Sequence, residues 1–66
     1  MTPTGDTIGQ KARARRKALG ISQADLAALA GVSRKVVVAV EADHATVKLQ
    51  SLTTVLDILG LRLEVT

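Results

Sequence analysis

Residues 22–41 read SQADLAALAGVSRKVVVAVE, and the reading of this stretch decides the fold. Ser22 is a good helix N-cap. Asp25, three residues on, resembles the second half of a capping box and puts a negative charge in the first turn. Leu26, Ala27, Leu29 and Ala30 recur at helical spacing, and Gly31 stops the run, so a helix of about eight residues is predicted. Ser33 caps again only two residues after that glycine, and a further helix is predicted from Arg34 to about Ala42. Val36, Val37, Val38 and Val40 also fit a buried strand, because β-branched residues favour sheets. Helix is preferred: the segment is entered through Gly-Val-Ser, and Val37 and Val40 recur at helical spacing.

Upstream, Thr7 can cap a helix from Ile8 to about Leu19, with Gly20 in the C-cap role. Its apolar positions are Ile8, Ala12 and Leu19, with the stems of Arg15 and Arg16 beside them. Residues 1–6 hold the single proline and no periodic pattern, and read as a loose arm. Downstream, residues 43–48 form a polar loop. A fourth helix is predicted from Gln50 or Ser51 to Leu59, with Leu52, Val55, Leu56 and Leu59 on one face and Gly60 behind it. The segment from Leu61 to Thr66 alternates apolar and polar residues without exception, the pattern of a half-buried strand. An isolated strand is not stable in water. Its simplest partner is the same strand of a second copy around a two-fold axis, placing Leu61, Leu63 and Val65 at a dimer contact and Arg62 near Glu64. The alternative is a frayed tail. The expected architecture is all-α, with a flexible arm over 1–6, a helical domain over 7–60 and a dimerisation strand over 61–66.

Composition narrows the function classes. The chain has 66 residues, enough for one domain with a marginal core. It has no cysteine and one histidine, His44, which removes disulfides and thiolate or histidine-rich metal sites. No aromatic residue is present, which argues against single-stranded nucleic acid, whose bases stack on aromatic rings. The net charge is +3, and Lys11, Arg13, Arg15, Arg16 and Lys17 crowd into one short run, favouring a polyanionic partner. No apolar run approaches the roughly 18 to 20 residues that span a bilayer, and residues 1–7 lack a signal-peptide core, so a cytoplasmic location is expected. Asp25, Asp57 and Glu64 lie on separate elements. No nucleophile–base pair, metal set or phosphate loop stands behind an enzyme, and no cofactor is expected.

Two short helices separated by Gly31-Val32-Ser33 have the helix-turn-helix spacing. Such a unit sets its second helix in the DNA major groove and its first across the backbone.

The run from Gly20-Ile21-Ser22-Gln23-Ala24-Asp25-Leu26-Ala27 through Gly31-Val32-Ser33-Arg34 to Val37 and Val40-Glu41 resembles the Cro/C1-type (Xre-like) helix-turn-helix family. The resemblance covers about Ile8 to Leu59. It implies four to five short helices of the lambda-repressor-like fold and a set of residue roles. Gln23 matches the family glutamine that contacts a phosphate, where a helix N-terminus already favours an anion. Ser33, Arg34, Lys35 and Val38 fall where the family reads base edges. Arg34 suits guanine O6 and N7, and Val38 suits a thymine methyl. Arg16 and Glu41 match the pair that bridges the first helix to the end of the third. Arg16, Arg13 and Lys48 are further candidates for phosphate contact. The sequence departs from the pattern twice. Asp43 stands where the family usually has glycine, at a turn whose left-handed conformation aspartate tolerates. Arg15 stands at a usually apolar position.

Thr46-Val47-Lys48-Leu49, Leu52 to Leu56, and Leu59-Gly60-Leu61-Arg62-Leu63-Glu64-Val65 are further similar to the HipB-like antitoxin branch. That resemblance implies a C-terminal strand paired across a homodimer, autoregulation at a near-palindromic operator, and a HipA-like kinase toxin as partner. Because the sequence ends on the strand, toxin contact is expected on the body of the domain. Two alternatives stay open: a stand-alone Xre-type regulator, and a protein-interaction module that keeps the fold without DNA binding.

Overall fold

Hydroxyl side chains start three of the four helices. In the computed structural model, which describes residues 7–62, these are α1 (Ile8–Ala18), α2 (Gln23–Ala30), α3 (Arg34–Glu41) and α4 (Leu49–Ile58). Thr7 Oγ1 accepts the Gln10 N–H at 3.1 Å, and Gln10 Oε1 accepts the Thr7 N–H at 3.0 Å. Ser22 and Asp25 exchange the same two bonds, each at 3.0 Å, which completes the capping box read from the sequence. Ser33 Oγ accepts the Val36 N–H at 3.3 Å. The start of α4 has no side-chain cap, and its N-cap is Lys48. That helix begins at Leu49, slightly earlier than the apolar spacing predicts, because no local signal marks the boundary and packing sets it.

The valine-rich segment is helical, as preferred over strand. Val37 and Val40 point into the core, and Val36 is half-buried beside them. The core joins Ala12 of α1, Leu26 and Ala27 of α2, Val37 and Val40 of α3, and Val55, Leu56 and Leu59 at α4. Helix α2 packs against both α3 and α4, whereas α1 packs mainly on α3. The turn between α2 and α3 closes on Gly31, whose φ of +69° is in the left-handed region that a side chain would strain.

Gly9 has a different reason. A Cβ there would lie 2.5 Å from the Val40 carbonyl oxygen and 2.6 Å from that of Glu41. The first turn of α1 therefore rests directly on the C-terminal backbone of α3, and only glycine allows that approach.

Asp43 holds the turn that glycine usually makes. Its φ is +59°. Its N–H donates to the Val40 carbonyl at 3.1 Å, and the His44 N–H donates to Ala39 at 3.0 Å. These two bonds are those of a Schellman closure.

Among the described residues there is no strand. Residues 1–6, read as an arm, and Leu63 to Thr66 of the expected strand lie outside the described residues. Leu61 is half-buried: its N–H donates to Leu56 O at 2.8 Å, and its side chain packs against the core beside Gln10, Lys11, Ala14 and Arg15 of α1. No helix of the described residues is long and apolar enough to cross a membrane.

Leu26 is fully buried, whereas Leu29, on the same helix, is 60% exposed. Leu26→Ala is expected to cost about 3 kcal/mol, which rivals the whole stability of a core this small. Leu29→Ala is expected to stay within about 0.5 kcal/mol of the parent. Thermal melts followed by circular dichroism check both; equal losses in the two variants would contradict this core.

Candidate nucleic-acid interface

Helix α3 has two faces. Val37 and Val40 hold one against the core, which turns Arg34, Lys35, Val38 and Ala42 to solvent on the other. Ser33 sits exposed at its start with its hydroxyl engaged as the cap. All four residues expected to read bases thus share one end of one helix, and Val38 is the apolar member, 42% exposed.

Two open clefts flank this face. One, of about 610 Å³, lies between α3 and the α3–α4 loop, with Ser33, Lys35, Val38, His44, Thr46 and Lys48 among its lining residues. The other, of about 520 Å³, lies between α1, the start of α2 and α3, and is lined by Arg13, Arg16, Gln23, Val38, Glu41 and Ala42. Val38 borders both. Arg13, Gln23 and Lys48, from three separate segments, therefore surround the exposed face of α3 that carries Lys35 and Val38. The sequence reading did not name Thr46 as part of it; a threonine in a polar loop carries no local signal of its position.

The angle of α3 is set by a buried polar network. Arg16 Nε donates to Glu41 Oε2 at 2.7 Å, and its Nη2 to Oε1 at 3.2 Å. The side chains are 11% and 5% exposed. Arg16 Nη1 also donates to the Ile21 carbonyl at 3.0 Å, so the guanidinium ties α1 to α3 and to the α1–α2 turn. Gln23 Nε2 donates to Glu41 Oε1 at 3.2 Å, a bond the sequence reading missed. The amide keeps its second N–H and its carbonyl oxygen. Arg15, the other departure from the family pattern, donates from Nε to Leu59 O at 3.0 Å and so caps the C-terminal end of α4.

Burial works to raise the Glu41 carboxyl, but the hydrogen bonds from Arg16 and Gln23 and the charges of Arg16 and Arg13 outweigh it and hold the group below its ordinary value. Asp25 is also held low, by the Ser22 backbone N–H and then the Ser22 hydroxyl.

A helix-turn-helix family model matches residues 13–65, which takes in most of α1 and all of α2, α3 and α4. No curated protein matches the chain.

A depressed carboxyl favours the folded state only while it is ionised. The Glu41 contribution is therefore full above 4.5, its ordinary value, and is lost as pH falls through the lower folded value. Glu41→Gln removes this titration and leaves Arg16 without its counter-ion. It is expected to lower stability near neutrality by about 3 kcal/mol and to flatten the acid side of the stability–pH curve. Urea titrations across the acid range check it, and an unchanged acid slope would contradict the assignment.

Proposed function

The chain belongs to the Cro/C1-type helix-turn-helix family of DNA-binding regulators, and from that premise we propose that it is a dimeric, sequence-specific repressor of double-stranded DNA. The observation that supports this most directly is the exposed end of α3 bordered by two clefts that carry cationic side chains. Arg34 and Lys35 read base edges, Val38 meets a thymine methyl and Ser33 adds a contact at the helix start. Gln23, Arg13 and Lys48 hold phosphates on either side. Arg16 adds to them through the guanidinium N–H groups that its internal partners leave over.

Two protomers read half-sites of a near-palindromic operator about 34 Å apart, one helical turn. The homodimer contact is assigned to Leu61, Leu63 and Val65. Its support is the alternating sequence of the segment and the lack of a partner strand among the described residues. The similarity of residues 46–65 to the HipB-like branch supports the finer reading of an antitoxin that represses its own operon and binds a HipA-like kinase toxin.

Selection of bound duplexes from a random-sequence pool tests the DNA reading; a pool without enrichment would overturn it. On the selected site, affinity is expected to fall steeply with salt as counterions are released. Arg34→Ala is expected to lose about 1 to 3 kcal/mol and to relax preference at one base pair. Mobility shifts on the selected site and its single-base variants measure this, and unchanged preference in the variant would remove Arg34 from the reading set. Light scattering on the chain with and without residues 61–66 tests the dimer. Loss of the dimer on truncation is expected, and a truncated chain that stays dimeric would rule the segment out as the main contact.

A further inference from the structure

Asp43 does more than close the turn after α3. Its Oδ1 accepts the Gly9 N–H at 2.8 Å, and its Oδ2 accepts the Thr7 hydroxyl. Both carboxylate oxygens thus reach the start of α1, 34 and 36 positions back along the chain. Gly9 is the second residue of α1, so its N–H is one of the donors that no helix can satisfy internally. Helix α1 has no acidic residue in its own first turn. The Asp43 carboxylate supplies that charge from across the fold, at the positive end of the helix dipole.

The position is an unfavourable one for a side chain. Glycine would adopt φ of +59° freely, yet an aspartate adopts it here. The aspartate brings two charge-assisted bonds that glycine cannot make. They fall where α1 and α3 are in backbone contact, since a Cβ on Gly9 would meet the Val40 and Glu41 carbonyls.

We infer that Asp43 is a positioning residue for DNA reading: with Glu41 it clamps α1 to the end of α3 at two points and so sets the tilt of α3 against the basic helix. The two points on α1, Gly9 and Arg16, lie roughly 10 Å apart along the helix axis. One point of attachment leaves a helix free to swing about it; two fix the angle. Few apolar contacts assist, because α1 buries only Gly9, Ala12 and Arg16. Arg13 on α1 and Arg34, Lys35 and Val38 on α3 then face the same duplex at a constant separation. The inference rests on the DNA-binding reading for its consequence, though not for the clamp itself.

Asp43→Gly tests it, because glycine keeps the left-handed turn and removes only the carboxylate. Residual dipolar couplings of backbone amides in the DNA-free protein report the angle between helices. In the parent, α1 and α3 are expected to fit one rigid body. In Asp43→Gly, the α1 couplings are expected to shrink or reorient while those of α2, α3 and α4 stay. The ratio of affinities for the selected site and a scrambled duplex is expected to fall about tenfold, the scale of one lost base contact. Asp43→Asn keeps an acceptor for the Gly9 N–H and is expected to recover most of both effects. A single rigid body in Asp43→Gly would overturn the clamp. A loosened α1 with an undiminished affinity ratio would overturn its role in reading. A parent that shows no preference for any duplex would defeat the DNA-binding reading instead, and the couplings would still decide the clamp.

Discussion

Arg16 and Glu41 meet where α1, α2 and α3 converge, and the placing of the exposed face of α3 depends on that meeting. Helix α1 is too polar to dock by apolar area: of its residues only Gly9, Ala12 and Arg16 are buried. Its attachment runs through charge and hydrogen bonds instead. The guanidinium satisfies both Glu41 oxygens and the Ile21 carbonyl, and Gln23 adds a donor to the same carboxylate. Removing either partner leaves a desolvated charge unmatched, which costs more than the intact pair contributes. The pair is thus stronger as a constraint on geometry than as a source of stability.

That constraint matters because α3 is a poor helix by itself. It is short and carries four valines, whose branched side chains lose rotamer freedom in a helix. It exists because Val37 and Val40 are buried against α2, α4 and Ala12, and because Ser33 caps its start. The same burial leaves Arg34, Lys35 and Val38 outside. Core packing and the exposed face of Arg34, Lys35 and Val38 are two sides of one helix, so a change that loosens the first displaces the second.

Arg15 and Asp43, the two departures from the family pattern, each reach a helix end. Arg15 meets the carbonyl of Leu59, the C-cap of α4, and Asp43 meets the first turn of α1. Each places a charge where the dipole of the capped helix welcomes it. Together with Arg16 they give α1 polar links to both α3 and α4, replacing the apolar contact that its sequence does not supply.

The helices were legible in residues 7–60 because their signals are local. Thr7, Ser22 and Ser33 are caps whose bonds span three residues, Gly31 stops α2 by its own φ, and the spacing of Leu26, Val37, Val55 and Leu56 marks their buried faces. The resemblance to a known pattern supplied the Arg16–Glu41 pair and the residues on the exposed face of α3. What no local signal carried were the contacts between residues far apart in sequence. Asp43 announced a left-handed turn, yet nothing near it in the chain pointed to Gly9 or Thr7. Gln23 read as a phosphate ligand without its bond to Glu41, Arg15 read as a departure at a usually apolar position without its carbonyl partner, and the start of α4 had no cap to mark it. Sequence alone determined which segments are helical and which face of each is apolar, since propensity, capping and periodicity act within a few residues. Tertiary structure alone decided how α1 is held and how the clefts form on either side of α3, because those depend on which helix ends the packed core brings together.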